Sequence, residues 1–87
     1  MNRYRVEVLP AADKQLAKVK DRVLKARLLR AIYELGDEPR PPGCLKLVGE
    51  VDQWRVRVGD WLIVYRIEDG RLVVVVIRVA VRGDVYG

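Results

Sequence analysis

Side chains able to do acid–base or electrostatic chemistry are unevenly chosen in these 87 residues. Arginine and lysine number 17 against 12 aspartates and glutamates, for a net charge of +5. Histidine is absent, which removes the commonest general base and metal ligand. Any reaction must then run on lysine, arginine, tyrosine or a carboxylate. The one cysteine, Cys44, cannot form an internal disulfide, and without histidine a zinc centre is not expected. No metal and no cofactor are expected. Within the basic set, Arg55 and Arg57 alternate with apolar residues in Trp54-Arg55-Val56-Arg57-Val58, and Arg66 closes the next apolar run. Arginine forks above an apolar floor suit phosphate recognition. The same row on a solvent-facing strand also keeps a sheet soluble and blocks edge pairing. The pattern alone leaves both readings open, but a basic field on so small a body attracts polyanions or an acidic partner.

The elements that must position these arginines follow from hydrophobic period. Tyr4, Val6 and Val8 share one face at period two, a strand over Tyr4–Leu9. Pro10 suits the first turn of a helix, and Ala12, Leu16 and Val19 carry that helix to about residue 20. Asp21 is placed to cap a second helix, whose buried stripe is Leu24, Leu28, Ile32 and Leu35, with Gly36 at its end. Three prolines in residues 37–43 require a loop. Alternation then predicts strands over Leu45–Val48, Gln53–Val58, Trp61–Glu68 and Leu72–Val79. Gly59-Asp60 reads as a type II′ hairpin turn and Asp69-Gly70 as a type I′ turn. The expected fold is one α+β domain over residues 1–87. An N-terminal strand and an αα-hairpin precede a four-stranded antiparallel meander packed on the helices.

Those turns set cross-strand neighbours. Val58 should face Trp61, Val56 face Ile63 and Trp54 face Tyr65. Arg57 should lie beside Leu62, Arg55 beside Val64 and Gln53 beside Arg66. Across the second turn Tyr65 should meet Val74, and Ile63 meet Val76. One face is then apolar and carries the helices. The other presents Arg55, Arg57 and Arg66 over Leu62, Val64, Val75 and Ile77. By parity Arg78 falls on the Trp61 side, in a salt bridge or a cation–π contact. Cys44 reads as a small buried hydrophobe, Asp60 and Asp69 as turn residues, and Glu7, Glu34 and Glu68 as solvated. Trp54 and Trp61 read as core. No apolar run of ~18 residues and no charged-then-apolar leader occurs, so a cytoplasmic protein is expected.

In this order, Tyr4–Leu9 with Pro10, the helical hairpin, Leu45-Lys46-Leu47, Trp54–Asp60, Ile63-Val64-Tyr65 and Arg82-Gly83-Asp84-Val85-Tyr86 resemble the RelE/ParE superfamily of microbial toxins. The resemblance covers essentially the whole chain and rests on the series. It implies the toxin of a type II toxin–antitoxin module with a cognate antitoxin as partner. The RelE branch cuts mRNA in the ribosomal A site, activating the ribose 2′-OH against the adjacent phosphate with lysines, arginines and a C-terminal tyrosine. The ParE branch inhibits DNA gyrase. Carried over by position, Arg55 and Arg57 match the two basic residues of the central strand. Lys46 matches the upstream basic residue, Arg82 the C-terminal arginine and Tyr86 the tyrosine. The implied catalytic set is Arg55, Arg57, Arg82 and Tyr86, with Lys46 and Arg66 binding substrate. The chain departs from the pattern at Leu62, where many members carry arginine, and at Val81, where several carry histidine. Arg66, on the same face, stands ~13 Å along the strand from Leu62. Beside the endoribonuclease stand a gyrase-directed toxin and an impaired homologue that mainly binds its antitoxin.

Overall fold

The computed structural model describes residues 3–47, 49 and 52–81. Strand β1 (Arg5–Val8) leads directly into helix α1 (Pro10–Ala17), with proline at the helix start, where its missing N–H costs nothing. The helix stops at Ala17, short of the expected end, because the Val19 N–H turns onto the Leu16 carbonyl at 3.1 Å. Helix α2 (Arg22–Glu34) is capped as expected: Asp21 Oδ1 accepts from the Val23 and Leu24 amides at 3.0 and 3.1 Å.

After the proline loop come β2 (Leu45–Lys46), β3 (Gln53–Val58), β4 (Trp61–Glu68), a 3₁₀ turn (Asp69–Arg71) and β5 (Val73–Val81). The strands form one sheet in the order β1-β5-β4-β3-β2. The meander β2 to β5 is antiparallel, and β1 closes the far edge parallel to β5. Both helices cover one face of this sheet. Ala12, Leu16, Leu28, Ile32 and Leu35 meet Val58, Ile63, Tyr65, Ile67, Val74, Val76 and Val79 in a single core. The Tyr65 hydroxyl, buried there, donates to the Pro39 carbonyl at 2.7 Å and ties the proline loop to β4. Among the described residues no helix is long and apolar enough to cross a membrane.

The first hairpin matches the expected register at all six pairs, and Gly59 takes the positive φ of 59° that its turn needs. The second does not. Asp69–Arg71 form a 3₁₀ turn, and Leu72, not Gly70, carries the left-handed backbone, at φ 54°. Glu68 therefore pairs with Val73, and Tyr65 with Val76 rather than Val74. A bulge follows between Val64 and Tyr65: Val64 pairs with Arg78 and Ile63 with Val79, so Ile77 is the extra residue. The expected parity of Arg78 is overturned by that one residue. It lies with Val64, away from the helices, and not on the Trp61 side.

Candidate functional site

The face turned away from the helices carries the arginines. Its floor is Leu62, Val64, Val73, Val75 and Ala80, all buried although neither helix lies over them. Arg55 and Arg57 rise from β3, opposite Val64 and Leu62, as alternation requires. The Arg57 Nε donates to the Gly59 carbonyl at 2.8 Å, which holds that guanidinium near the hairpin tip. Arg78 enters from β5 on the other side of Val64. Three arginine positions thus surround the Leu62–Val64 patch.

The opposite end of this face is paired with acid. Arg66 donates to Glu68 Oε2 from Nη2 at 3.1 Å and from Nε at 3.2 Å, and Arg71 meets Glu68 Oε1 at 2.7 Å. Hydrogen bonds from Arg71 and then Arg66 hold the Glu68 carboxyl below the usual range. Glu68, expected to be solvated, is instead the anchor of two arginines. On β1, Arg5 meets Glu7 at 2.8 Å. Arg66 therefore belongs to an ion-paired end, although it pairs with Gln53 and so lies one row from Arg55 on the same face.

Lys46 is not brought to the arginine face. It pairs with Trp54 across β2 and β3, while its neighbour Leu45 pairs with Arg55. Its ammonium lies 6.0 Å from the Trp54 ring centroid, and Arg40 lies 5.2 Å from the same ring. Arg40 also bridges to Asp69 at 2.9 Å, and the Tyr4 hydroxyl donates to Asp69 at 2.7 Å. Asp69 is thus more than a turn residue. It joins the N-terminus, the proline loop and the β4–β5 turn, a knot no local pattern announces. Arg82 and Tyr86 lie outside the described residues.

A cleft of about 350 Å³ opens on the helix side, between the end of α2, the proline loop and Val56 of β3. Glu34, Asp37 and Glu38 rim it, so its charge is wrong for a phosphate chain. Among the described residues no three histidine, cysteine or carboxylate side chains gather to hold a metal. The arrangement suited to an anion is the arginine face. Guanidinium donors over an apolar floor can bind a phosphodiester and offset charge building on its oxygens.

The family profile described as "ParE toxin of type II toxin-antitoxin system, parDE" matches residues 6–86. No curated protein sequence matches. Among solved structures, the chain is similar to the archaeal RelE of the RelE–RelB complex from Pyrococcus horikoshii OT3. The two are 27% identical with a TM-score of 0.82, over 93% of this chain and 97% of that one. Similarity to the RelBE2 toxin–antitoxin complex of Mycobacterium tuberculosis reaches 28% identity and a TM-score of 0.77, over 91% and 98% of the chains. A YoeB/ParE toxin from Agrobacterium tumefaciens shares the fold at a TM-score of 0.75 and 16% identity, over 88% and 96%.

Proposed function

The chain belongs to the ParE toxin family of type II toxin–antitoxin systems, within the RelE/ParE superfamily, and from that premise we propose that it cuts RNA. The reading is a ribosome-dependent mRNA endoribonuclease of the cytoplasm. The observation that carries it is the pair Arg55 and Arg57, alternating on β3 over the buried Leu62 and Val64. In this reaction the ribose 2′-oxygen attacks the adjacent phosphorus and the bond to the 5′-oxygen breaks. The 2′-hydroxyl gives up its proton and the departing 5′-oxygen gains one. Arg55 and Arg57 bind the strand and stabilise charge on the phosphorane, the main contribution open to groups that do not deprotonate. By sequence position Arg82 stabilises the phosphate or the leaving oxygen, and Tyr86 stacks on a base or moves the proton. Arg66, held by Glu68, and Lys46, beside Trp54, stand outside this set. The partner is an antitoxin whose acidic or mixed-charge arm neutralises the arginine face, as an anionic segment would.

A gyrase-directed toxin is the second reading. Leu62, only 3% exposed in the floor, supplies no phosphate contact where RelE-type members place arginine, and the matching profile is that of ParE. Expressing the chain without an antitoxin and mapping RNA ends within translated frames separates the two. Cleavage that falls sharply in Arg55→Ala, Arg82→Ala and Tyr86→Phe is the expected result. Cleavage unchanged in all three rejects this site. Growth arrest without cleavage rejects the nuclease, and inhibited supercoiling then favours gyrase.

A further inference from the structure

Among the described residues, Arg78 is the arginine of this face whose position is the product of an irregularity. Val76 and Val79 are both fully buried in the helix-covered core, although they stand three residues apart. A regular strand cannot turn both to one side, since its side chains alternate. The bulge at Ile77 absorbs the difference, and Arg78 is the residue it re-aims, onto Val64. Bulges recur next to functional sites because they redirect a side chain without unmaking the sheet.

The register then fixes what Arg78 meets. Reading across the sheet, Arg55, Val64 and Arg78 form one row, and Arg57, Leu62 and Ala80 the next. Arg55 and Arg78 are two strand spacings apart, roughly 10 Å between Cα atoms. Arginine side chains can converge over that gap. Arg78 is also the diagonal neighbour of Leu62, at roughly 7–8 Å, whereas Arg66 is ~13 Å from Leu62 along β4. Arg78 is exposed, whereas Val64 between the two arginines is 6% exposed.

We propose that Arg78 is a substrate-binding residue of this face, gripping a phosphate of the RNA strand together with Arg55 across Val64. This rests on the reading of the face as RNA-binding. Its role is positional: a phosphate contact carries no base identity, so it acts on affinity and not on sequence choice.

The test measures binding of a single-stranded RNA oligonucleotide to the purified chain over a range of salt concentrations. Arg78→Ala should weaken binding about tenfold and reduce the slope of log affinity against log salt by about 0.7, one phosphate's share. Arg78→Lys should restore the slope, because a second cation releases the same counterion. Arg66→Ala should change the slope less than Arg78→Ala. Should Arg78→Ala bind like the parent while Arg55→Ala is weakened, this inference is overturned and the face stands. Should the parent bind no better than Arg55→Ala/Arg57→Ala, the reading of the face falls and takes this inference with it. Thermal unfolding of each variant separates lost contact from lost fold.

Discussion

The Tyr65 hydroxyl has no water to turn to. It is fully buried, its partner is the Pro39 carbonyl, and burial first, then Cys44, pushes its ionisation well above the usual tyrosine range. It therefore stays a neutral donor at pH values where a free tyrosine would already ionise. Tyr65→Phe should cost about 1–2 kcal/mol, because an acceptor is left without its donor, and denaturant unfolding would report it. Asp69 sets a pH window. Hydrogen bonds from Arg40 and then Tyr4 hold its carboxyl below the ordinary 3.8, while its own acceptance raises Tyr4 above the ordinary 10.0. A lowered carboxyl contributes stability that is fully present above 3.8 and lost as pH falls through its folded value. A raised phenol contributes stability that is fully present below 10.0 and lost as pH rises through its folded value. Thermal melts of Asp69→Asn should thus lie closest to the parent at the acid end and diverge from it between those limits. A constant difference across the acid range would count against the assignment.

The elements owe their ends to single interactions. Asp21 satisfies two amides at the start of α2, and it does so across a link of only a few residues from α1. Asp21→Ala should cost about 1 kcal/mol and lower the melting temperature by roughly 4–8 °C for a domain this small. The sheet shows the opposite case, where an element departs from its regular form. β5 pairs on both sides, with β1 and β4, yet it carries the bulge. Interrupting the ladder there lets Val76 and Val79 share the core and leaves Arg78 outside. β2, two residues long, ends the sheet with too little edge to invite another strand.

Across the whole molecule, one sheet separates two chemistries. The helix side is a dry core with an acid-rimmed cleft, and the far side carries Arg55, Arg57 and Arg78 around Leu62 and Val64 and the Arg66–Glu68–Arg71 pairs beyond them. Stability and recognition thus draw on different faces of the same strands. Leu28, fully buried under the helical hairpin, belongs to the first face only. Leu28→Ala should cost about 2–5 kcal/mol, a large share of what so small a domain holds, and this should appear in chemical denaturation. Conditions that keep that variant folded should leave its RNA affinity near the parent's. A parallel loss of affinity in still-folded protein would show the two faces to be coupled.

Composition and period alone determined much of this protein. The absence of histidine, the alternation of Arg55 and Arg57, Asp21 as a cap and the Gly59-Asp60 turn are local facts, and the α+β order with its six-pair hairpin follows from them. Only the tertiary structure decided where the rest of the chemistry lies. Asp69-Gly70 has the composition of a type I′ turn, but the chain folds a 3₁₀ turn with Leu72 left-handed, shifting β5 against β4. The bulge at Ile77 then reverses parity, because the core needs both Val76 and Val79. Neither event is written in neighbouring residues: the bulge answers to packing against helices distant in sequence, and Asp69 of the turn is held by Tyr4 and Arg40. Arg55 and Arg57 could be read from the strand that carries them. Arg78, Lys46 and Arg66 could be placed only by knowing what lies across the sheet.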